Sequence, residues 1–184
     1  MELLIKIKKI IFIFFVSGIL VAYSPVSIQG DVREQQYAFK AAFIFHFIEY
    51  IEWKNNAESP TFNFAVLGKS PITEQMLIIS NNQKVKNKKM DVKEYNNLDD
   101  VGFCNILFVP QNSSTPIETI VSKFAGKPVL IVTEQLTHEK NNAHINFFIS
   151  EKKLKFEINR KAVNKVEIKI SSQLLQHATI VDDE

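Results

Sequence analysis

Cysteine is nearly absent from this chain of 184 residues, which limits its chemistry from the outset. Cys104 is the single cysteine, so no intramolecular disulfide can form. It stands within the apolar residues 103–109, a pattern typical of a buried strand, where a small hydrophobic side chain needs no redox role. Glycine is scarce as well, with five residues. Residues 68–70 read like the end of a phosphate-binding loop, but Asn63 stands where that loop requires its first glycine.

Catalytic and metal-binding patterns are also missing from the sequence. It contains no Gly-x-Ser-x-Gly motif and no convincing set of nucleophile and base. His138 and His144 flank Glu139, yet their spacing fits neither a helical pair nor alternate strand positions, and a third ligand is missing. The pattern favours solvent-exposed loop residues. We therefore expect no catalytic residue, no metal site and no cofactor, in a protein that is not an enzyme.

An excess of charge is lacking once the first 30 residues are set aside. Three of the 22 basic and one of the 20 acidic side chains lie there, which leaves 19 of each in residues 31–184. Nucleic-acid binding needs a net basic face, so this balance argues against a nucleic-acid partner. The remaining residues suffice for one domain with its own hydrophobic core.

What the first 30 residues do contain is the layout of a secretory leader. Lys6, Lys8 and Lys9 precede the apolar residues 10–22, and small or turn-forming residues follow up to Gly30. The apolar run is short for a bilayer span, so we predict a signal peptide over residues 1–30 and a single domain over residues 31–184. The protein is then expected to be exported. An uncleaved N-terminal anchor is the alternative.

Helical and strand patterns alternate along residues 31–184. The spacing of apolar residues predicts a helix from about Asp31 to Trp53. Near the end, Asn159 is expected to cap a short helix, and Ser171 or Ser172 to start a terminal helical turn. Largely apolar runs predict strands at residues 62–67, 103–109 and 129–133, and a hairpin at 145–149 and 154–158. Alternating apolar and polar residues predict further strands at 89–93 and 166–170. The order indicates an α/β three-layer sandwich with a mostly parallel sheet, helices on both faces and an antiparallel C-terminal hairpin.

Several of these segments together resemble one family of periplasmic proteins, the YfiR family. The resemblance covers most of residues 37–181 and rests on the order and spacing of its pieces. These are Lys40-Ala41-Ala42-Phe43 with Phe47 and Trp53, Val66-Leu67-Gly68, Cys104-Asn105-Ile106-Leu107-Phe108, Gly126-Lys127-Pro128-Val129-Leu130, Ile145-Asn146-Phe147, Phe156-Glu157-Ile158-Asn159 and Ile170-Ser171-Ser172-Gln173-Leu174-Leu175.

The resemblance implies a regulator. Members of this family repress an inner-membrane diguanylate cyclase by binding its periplasmic sensor region, and this repression lowers cyclic di-GMP. An outer-membrane lipoprotein can sequester the repressor, and members are often dimers, so a homodimer is expected here. Family members commonly carry paired cysteines, and this chain departs from that pattern. The alternative function is a small-molecule-binding periplasmic sensor, with its ligand near Gly68 and the helix that begins at Ser70.

Aromatic residues are denser in the first helix than one core-facing stripe requires. Spacings of three and four place five ring side chains on one face of the helix: Phe39, Phe43, His46, Phe47 and Tyr50. Phe45 and Trp53 are expected to find no place in the core and to be available to a partner. We therefore predict a partner-binding surface at Phe43, Phe45, Phe47, Tyr50 and Trp53. Complete coverage of this helix by the sheet and a neighbouring helix is the alternative.

A second predicted partner-binding surface lies on the hairpin and the helix that follows it. Lys153 and Arg160 would form its basic rim. A solvated polar face is the alternative interpretation of the same residues.

Overall fold

A computed structural model of the chain describes residues 28–53, 59–135 and 142–181, with side chains from residue 32 onward. The chain divides into two compact units, residues 1–33 and 34–184. The described part of the first unit is the beginning of a helix. Residues 1–27 of the predicted signal peptide lie outside the described residues, and so do His138 and Glu139.

The N-terminal helix, α1, spans Ile28–Glu49 and is followed by a short strand, β1, at Ile51–Trp53. The prediction of a helix from Asp31 to Trp53 was therefore wrong at both ends. The helix closes with a tight turn in which the Tyr50 amide donates to the Phe47 carbonyl at 2.9 Å. The chain then extends because β1 pairs antiparallel with β8, the strand Ile168–Ile170, which local periodicity cannot reveal.

The remaining strands form one seven-stranded sheet in the order β3-β2-β4-β5-β6-β7-β9. Its five strands from β3 to β6 are parallel, β6 and β7 form an antiparallel hairpin, and β9 adds parallel to β7. The strands are β2 (Thr61–Leu67), β3 (Lys89–Tyr95), β4 (Ile106–Val109), β5 (Leu130–Thr133), β6 (Ile145–Ser150), β7 (Lys153–Asn159) and β9 (Thr179–Val181). The predicted mostly parallel sheet with an antiparallel hairpin is confirmed, whereas β9 was not predicted.

Helices cover both faces of this sheet. Successive strand residues point to opposite sides, so one strand contributes side chains to a core on each face. Phe62, Phe64 and Val66 of β2 join the core beneath α1, while Ala65 and Leu67 join a second core on the other face. The helices are α2 (Ile72–Asn82), α3 (Ile117–Lys123), α4 (Arg160–Asn164) and α5 (Ser172–Leu175). α2, α4 and α5 contribute to the α1 core and α3 to the second core, so the predicted three-layer α/β sandwich is confirmed.

Local sequence signals account for the ends of the elements near the C-terminus. Glu151 and Lys152 have φ angles of 52° and 62°, the left-handed conformation that a two-residue hairpin turn requires. The Asn159 side chain accepts a hydrogen bond from the Ala162 amide at 2.9 Å and caps α4. Ser171 caps α5 by accepting from the Leu174 amide at 3.4 Å. Both caps confirm the sequence prediction.

Candidate functional site

The α1 helix carries two apolar stripes that face in opposite directions. Tyr37, Ala41, Ile44 and Ile48 repeat at spacings of four and three and are buried against the sheet. Phe39, Phe43, His46 and Tyr50 repeat in the same way along the outer side. On this outer stripe Phe39 is 56 %, Phe43 36 % and Tyr50 41 % exposed. The helix therefore presents large apolar rings to solvent while its other side anchors it, and we call these four outer residues the outer stripe.

An aromatic cluster under α1 holds the middle of the outer stripe in place. The Phe43 ring centroid lies 6.1 Å from that of Phe47, 6.4 Å from that of Phe147 in β6 and 6.2 Å from that of Phe156 in β7. Phe47 in turn stacks on Phe147 with centroids 5.8 Å apart and planes 11° apart. Because Phe43 is fixed by buried neighbours, its exposed edge is ordered before any partner arrives, which lowers the entropy cost of binding.

The structure separates the five predicted aromatic residues into two groups. Phe43 and Tyr50 lie on the outer stripe, as a partner-binding role requires. Phe47 and Trp53 are buried, and Phe45 is half-buried against the core. The expectation that Trp53 is left over was wrong, because its ring packs edge-on against Phe62 with centroids 5.3 Å apart. Phe45 keeps part of its ring exposed, so its availability to a partner stays a prediction. Partner binding by Phe43 and Tyr50 stays a prediction.

The two basic residues of the second predicted surface are far apart. Lys153 begins β7 beside the hairpin turn, and Arg160 begins α4 after the other end of the same strand. Seven residues of extended chain separate them by about 20 Å. Both side chains are exposed, but the structure does not bring them together into one basic rim.

A groove of about 470 Å³ opens beside Tyr50 at the end of α1. Glu49, Glu52, Lys169 and Ser171 contribute to its walls. Charged and hydroxyl groups next to an exposed aromatic ring resemble the polar rim that surrounds the apolar centre of protein interfaces. The groove thus extends the outer stripe toward β8 and α5.

A buried ion pair ties the inner side of α1 to the end of β5. The Lys40 ammonium pairs with Glu134 Oε2, and the Tyr37 hydroxyl donates to Glu134 Oε1 at 2.9 Å. The Gln111 amide also donates to Oε1, at 3.3 Å. This cluster was not predicted from the sequence; the signal available was a lysine beside the inner stripe of an apolar helix. The cluster fixes the rotation of α1 and so determines which rings face outward.

The residues that build this arrangement fall within one family segment. A family model described as YfiR/HmsC-like matches residues 37–179, more than half of the chain. The chain belongs to the YfiR/HmsC-like family. A search among curated proteins finds no match. Family membership links the protein to the regulation of cyclic di-GMP signalling in general terms.

The two ends of the YfiR/HmsC-like match coincide with recognisable features of the fold. It begins at Tyr37, the first residue of the buried stripe and a hydrogen-bond donor to Glu134, and ends at Thr179, where β9 begins. The segment therefore includes the outer stripe, the buried ion pair and nearly the whole sheet. The resemblance inferred over residues 37–181 is confirmed by this match.

In this YfiR/HmsC-like fold the start of α2, predicted as an alternative ligand site, makes a hydrogen bond within its own chain. Gly68 adopts a φ of 95° and turns the chain after β2. The Ser70 hydroxyl then accepts a hydrogen bond from the Ile72 amide at 3.3 Å. This interaction satisfies one of the free amides at the start of α2, so Ser70 serves the fold locally.

Cys104 and His144 are both buried, with different outcomes for the predictions. Burial raises the pKa of the Cys104 thiol to about 12, against a smaller lowering effect of Lys123, so the nucleophilic thiolate is strongly disfavoured. The prediction of a buried, small hydrophobic cysteine agrees with this site.

His144 was predicted to be solvent-exposed, which is wrong, because its side chain lies inside the fold. Within the described ranges no group of three or more histidine, cysteine or carboxylate residues could hold a metal.

The buried His144 predicts a pH dependence of stability. Burial lowers its pKa from 6.5 to about 4. Between these values the unfolded chain binds a proton that the folded protein does not, so the contribution is complete above pH 6.5 and is lost as pH falls toward 4. We expect about 3 kcal/mol of stability to be lost over this range.

Urea unfolding of the wild type and of His144→Gln at several pH values measures this contribution. The variant should show a shallower decline in unfolding free energy between pH 6.5 and 4 than the wild type. Equal slopes in the two proteins would show that His144 titrates normally in the folded state. His46, which is exposed, provides the control substitution His46→Gln.

Proposed function

We propose that this YfiR/HmsC-like protein is a periplasmic repressor of an inner-membrane diguanylate cyclase. It binds the periplasmic sensor region of the cyclase and thereby lowers cyclic di-GMP. The observation that supports the proposal best is the outer stripe of α1, whose exposed rings stand on a fixed aromatic cluster. Exposed apolar surface of this kind, bordered by polar residues, is typical of protein-binding sites. The mechanism requires no catalytic group.

Repression of this kind works by shifting a conformational equilibrium. The cyclase has an active and an inactive arrangement, and the repressor acts only if it binds the inactive one more tightly. A coupling free energy of about 1–3 kcal/mol, or about 5–150-fold in affinity, is the usual size for such effects. An outer-membrane lipoprotein that covers the same stripe, or a second copy of this chain, would compete with the cyclase directly. Release through an intramolecular disulfide is excluded because the chain has one cysteine.

In this proposal the leader, residues 1–30, is removed during export, and residues 31–49 of α1 stay with the exported protein. None of the helices within residues 28–53, 59–135 and 142–181 combines the length and hydrophobicity needed to cross a bilayer. The periplasmic location therefore rests on the leader-like residues 1–30 and on what the family resemblance implies.

Replacing Phe39 with aspartate tests the outer stripe. We expect Phe39→Asp to weaken binding to the isolated sensor region of the cyclase by about tenfold or more, because a charge would be buried in an apolar interface. Thermal unfolding should change little, since Phe39 is the most exposed ring of the stripe. Leu77→Asp is the matched control, because Leu77 is an exposed apolar residue of another helix, α2. Equal binding by both variants would exclude the outer stripe as the interface.

Cellular cyclic di-GMP tests the function itself. We expect its level to rise when the gene is deleted and to return when the full chain, with its leader, is restored. A version lacking residues 1–30 should fail to restore it if repression takes place in the periplasm. Unchanged cyclic di-GMP across several growth conditions would contradict the repressor function and favour the alternative, a small-molecule-binding sensor.

A further inference from the structure

A cavity of about 250 Å³ lies beside the end of α3, and no residue of the outer stripe of α1 lines it. It is enclosed by the end of α3, the strand β5, the residues that precede β6 and the helix α4. Phe124, Ile131 and Val166 give it an apolar wall. Asn142, His144 and Lys165 supply its polar groups. An apolar enclosure with a few convergent polar groups is the usual form of a small-molecule site.

His144 provides the decisive observation. Its side chain is 3 % exposed, and its Nδ1 accepts a hydrogen bond from the Ile131 amide at 2.9 Å. A neutral imidazole with Nδ1 as acceptor carries its proton on Nε2, which is therefore a donor. No described residue accepts a hydrogen bond from Nε2, although the ring lines the cavity. Nε2 is not sealed inside the fold, since Trp53 Nε1 is the one fully buried side-chain nitrogen or oxygen without a partner among the described residues. The donor is therefore open to the cavity, which suits a ligand that brings an acceptor.

The positive charge of Lys165 indicates which class of hydrogen-bond acceptor fits the cavity best. Among the described residues that line the cavity it is the one charged side chain, and none of them is a carboxylate. Its ammonium favours an anionic ligand, while the neutral His144 adds a hydrogen bond without a second positive charge. One cation and one neutral donor match the single charge of a carboxylate better than the double charge of a phosphate monoester.

We propose that this cavity binds a small carboxylate with an apolar body. One carboxylate oxygen accepts a hydrogen bond from His144 Nε2, and the group pairs with the Lys165 ammonium, while the apolar body packs against Phe124 and Ile131. The cavity is slightly smaller than the roughly 300–1,000 Å³ sites of drug-sized ligands. It therefore fits a single ring or a short acyl chain.

Titration of the purified protein with phenylacetate, hexanoate and the neutral analogue phenylacetamide tests the proposal. The ¹⁵N signals of the His144 ring report contact directly, and calorimetry gives the affinity. We expect a carboxylate to shift the Nε2 signal saturably and phenylacetamide to bind about tenfold more weakly, because it lacks the charge paired with Lys165. No cyclase or other partner is present, so the result is independent of the proposed repressor function.

Variants of exposed lysines provide the control. Lys165→Met should fold normally, since the side chain is exposed, and should remove the difference between phenylacetate and phenylacetamide. Lys84→Met, an exposed lysine outside the cavity, should leave that difference unchanged. The proposal is overturned if neither carboxylate shifts the His144 signals at millimolar concentration, or if acid and amide bind equally well to the wild type.

Discussion

Replacing Glu134 with glutamine is expected to lower the free energy of unfolding by about 3–5 kcal/mol, the cost of leaving a buried partner charge uncompensated. The Lys40 ammonium would remain buried beside α1 without its carboxylate. The shape of the side chain is conserved, so the loss reports charge rather than packing. Urea unfolding at neutral pH, followed by circular dichroism, measures the effect.

Two further variants separate the buried ion pair from ordinary surface electrostatics. Asp91→Asn removes the partner of Lys93 from an exposed pair whose atoms are 2.8 Å apart, and little change in stability is expected because solvent screens it. The double variant Lys40→Met/Glu134→Gln should recover most of the stability lost in Glu134→Gln, since no charge is then left buried and the glutamine oxygen can still accept from Tyr37. If Glu134→Gln unfolds at the same urea concentration as the wild type, the ion pair does not anchor α1.

Truncation of Phe47 to alanine should destabilise the fold by about 3–5 kcal/mol, the range found for buried aromatic residues. Phe47 is 2 % exposed and its ring lies 4.6 Å, centroid to centroid, from that of Phe156. The cavity left behind would lie between α1 and the hairpin, where no neighbouring backbone can easily fill it. Denaturant unfolding gives the free energy directly.

Phe43→Ala is the matched comparison for Phe47→Ala, one turn earlier on the same helix. Phe43 shares the contacts with Phe147 and Phe156 but keeps its outer edge in solvent, so a distinctly smaller loss of stability is expected. The order of effects on partner binding should be reversed, with Phe43→Ala the more damaging. Equal destabilisation by both variants would mean that the outer stripe belongs to the core.

The sequence predicted the layers of this fold well because its strands are short apolar runs bounded by clear turn residues. Residues 129–133 form a near-continuous hydrophobic stretch, typical of a strand covered on both faces, and the structure places Leu130–Thr133 inside the sheet. Asn159 and Ser171 could be assigned as caps because the capping hydrogen bond is local. Predictions of this kind depend on neighbours in sequence.

The site was predicted less well because its surroundings are formed by distant parts of the chain. Between Phe43 and Ile48 nearly every position is apolar, so periodicity could not distinguish the inner from the outer side of α1. That distinction depends on Glu134, which is about 95 residues away from Lys40 and Tyr37. His144 follows a polar stretch, so the sequence predicts a loop position for it. In the structure its ring accepts a hydrogen bond from a backbone amide of β5.

The pairing of β1 with β8 joins residues about 120 positions apart in the chain. Contacts of such high sequence separation make folding slow, because a long loop must close before they form. During synthesis α1 emerges early, but the strand that holds its far end in place appears only near the C-terminus. Most of the polypeptide has therefore been made before the fold can close, and an incompletely folded chain is the form that a secretion channel can accept.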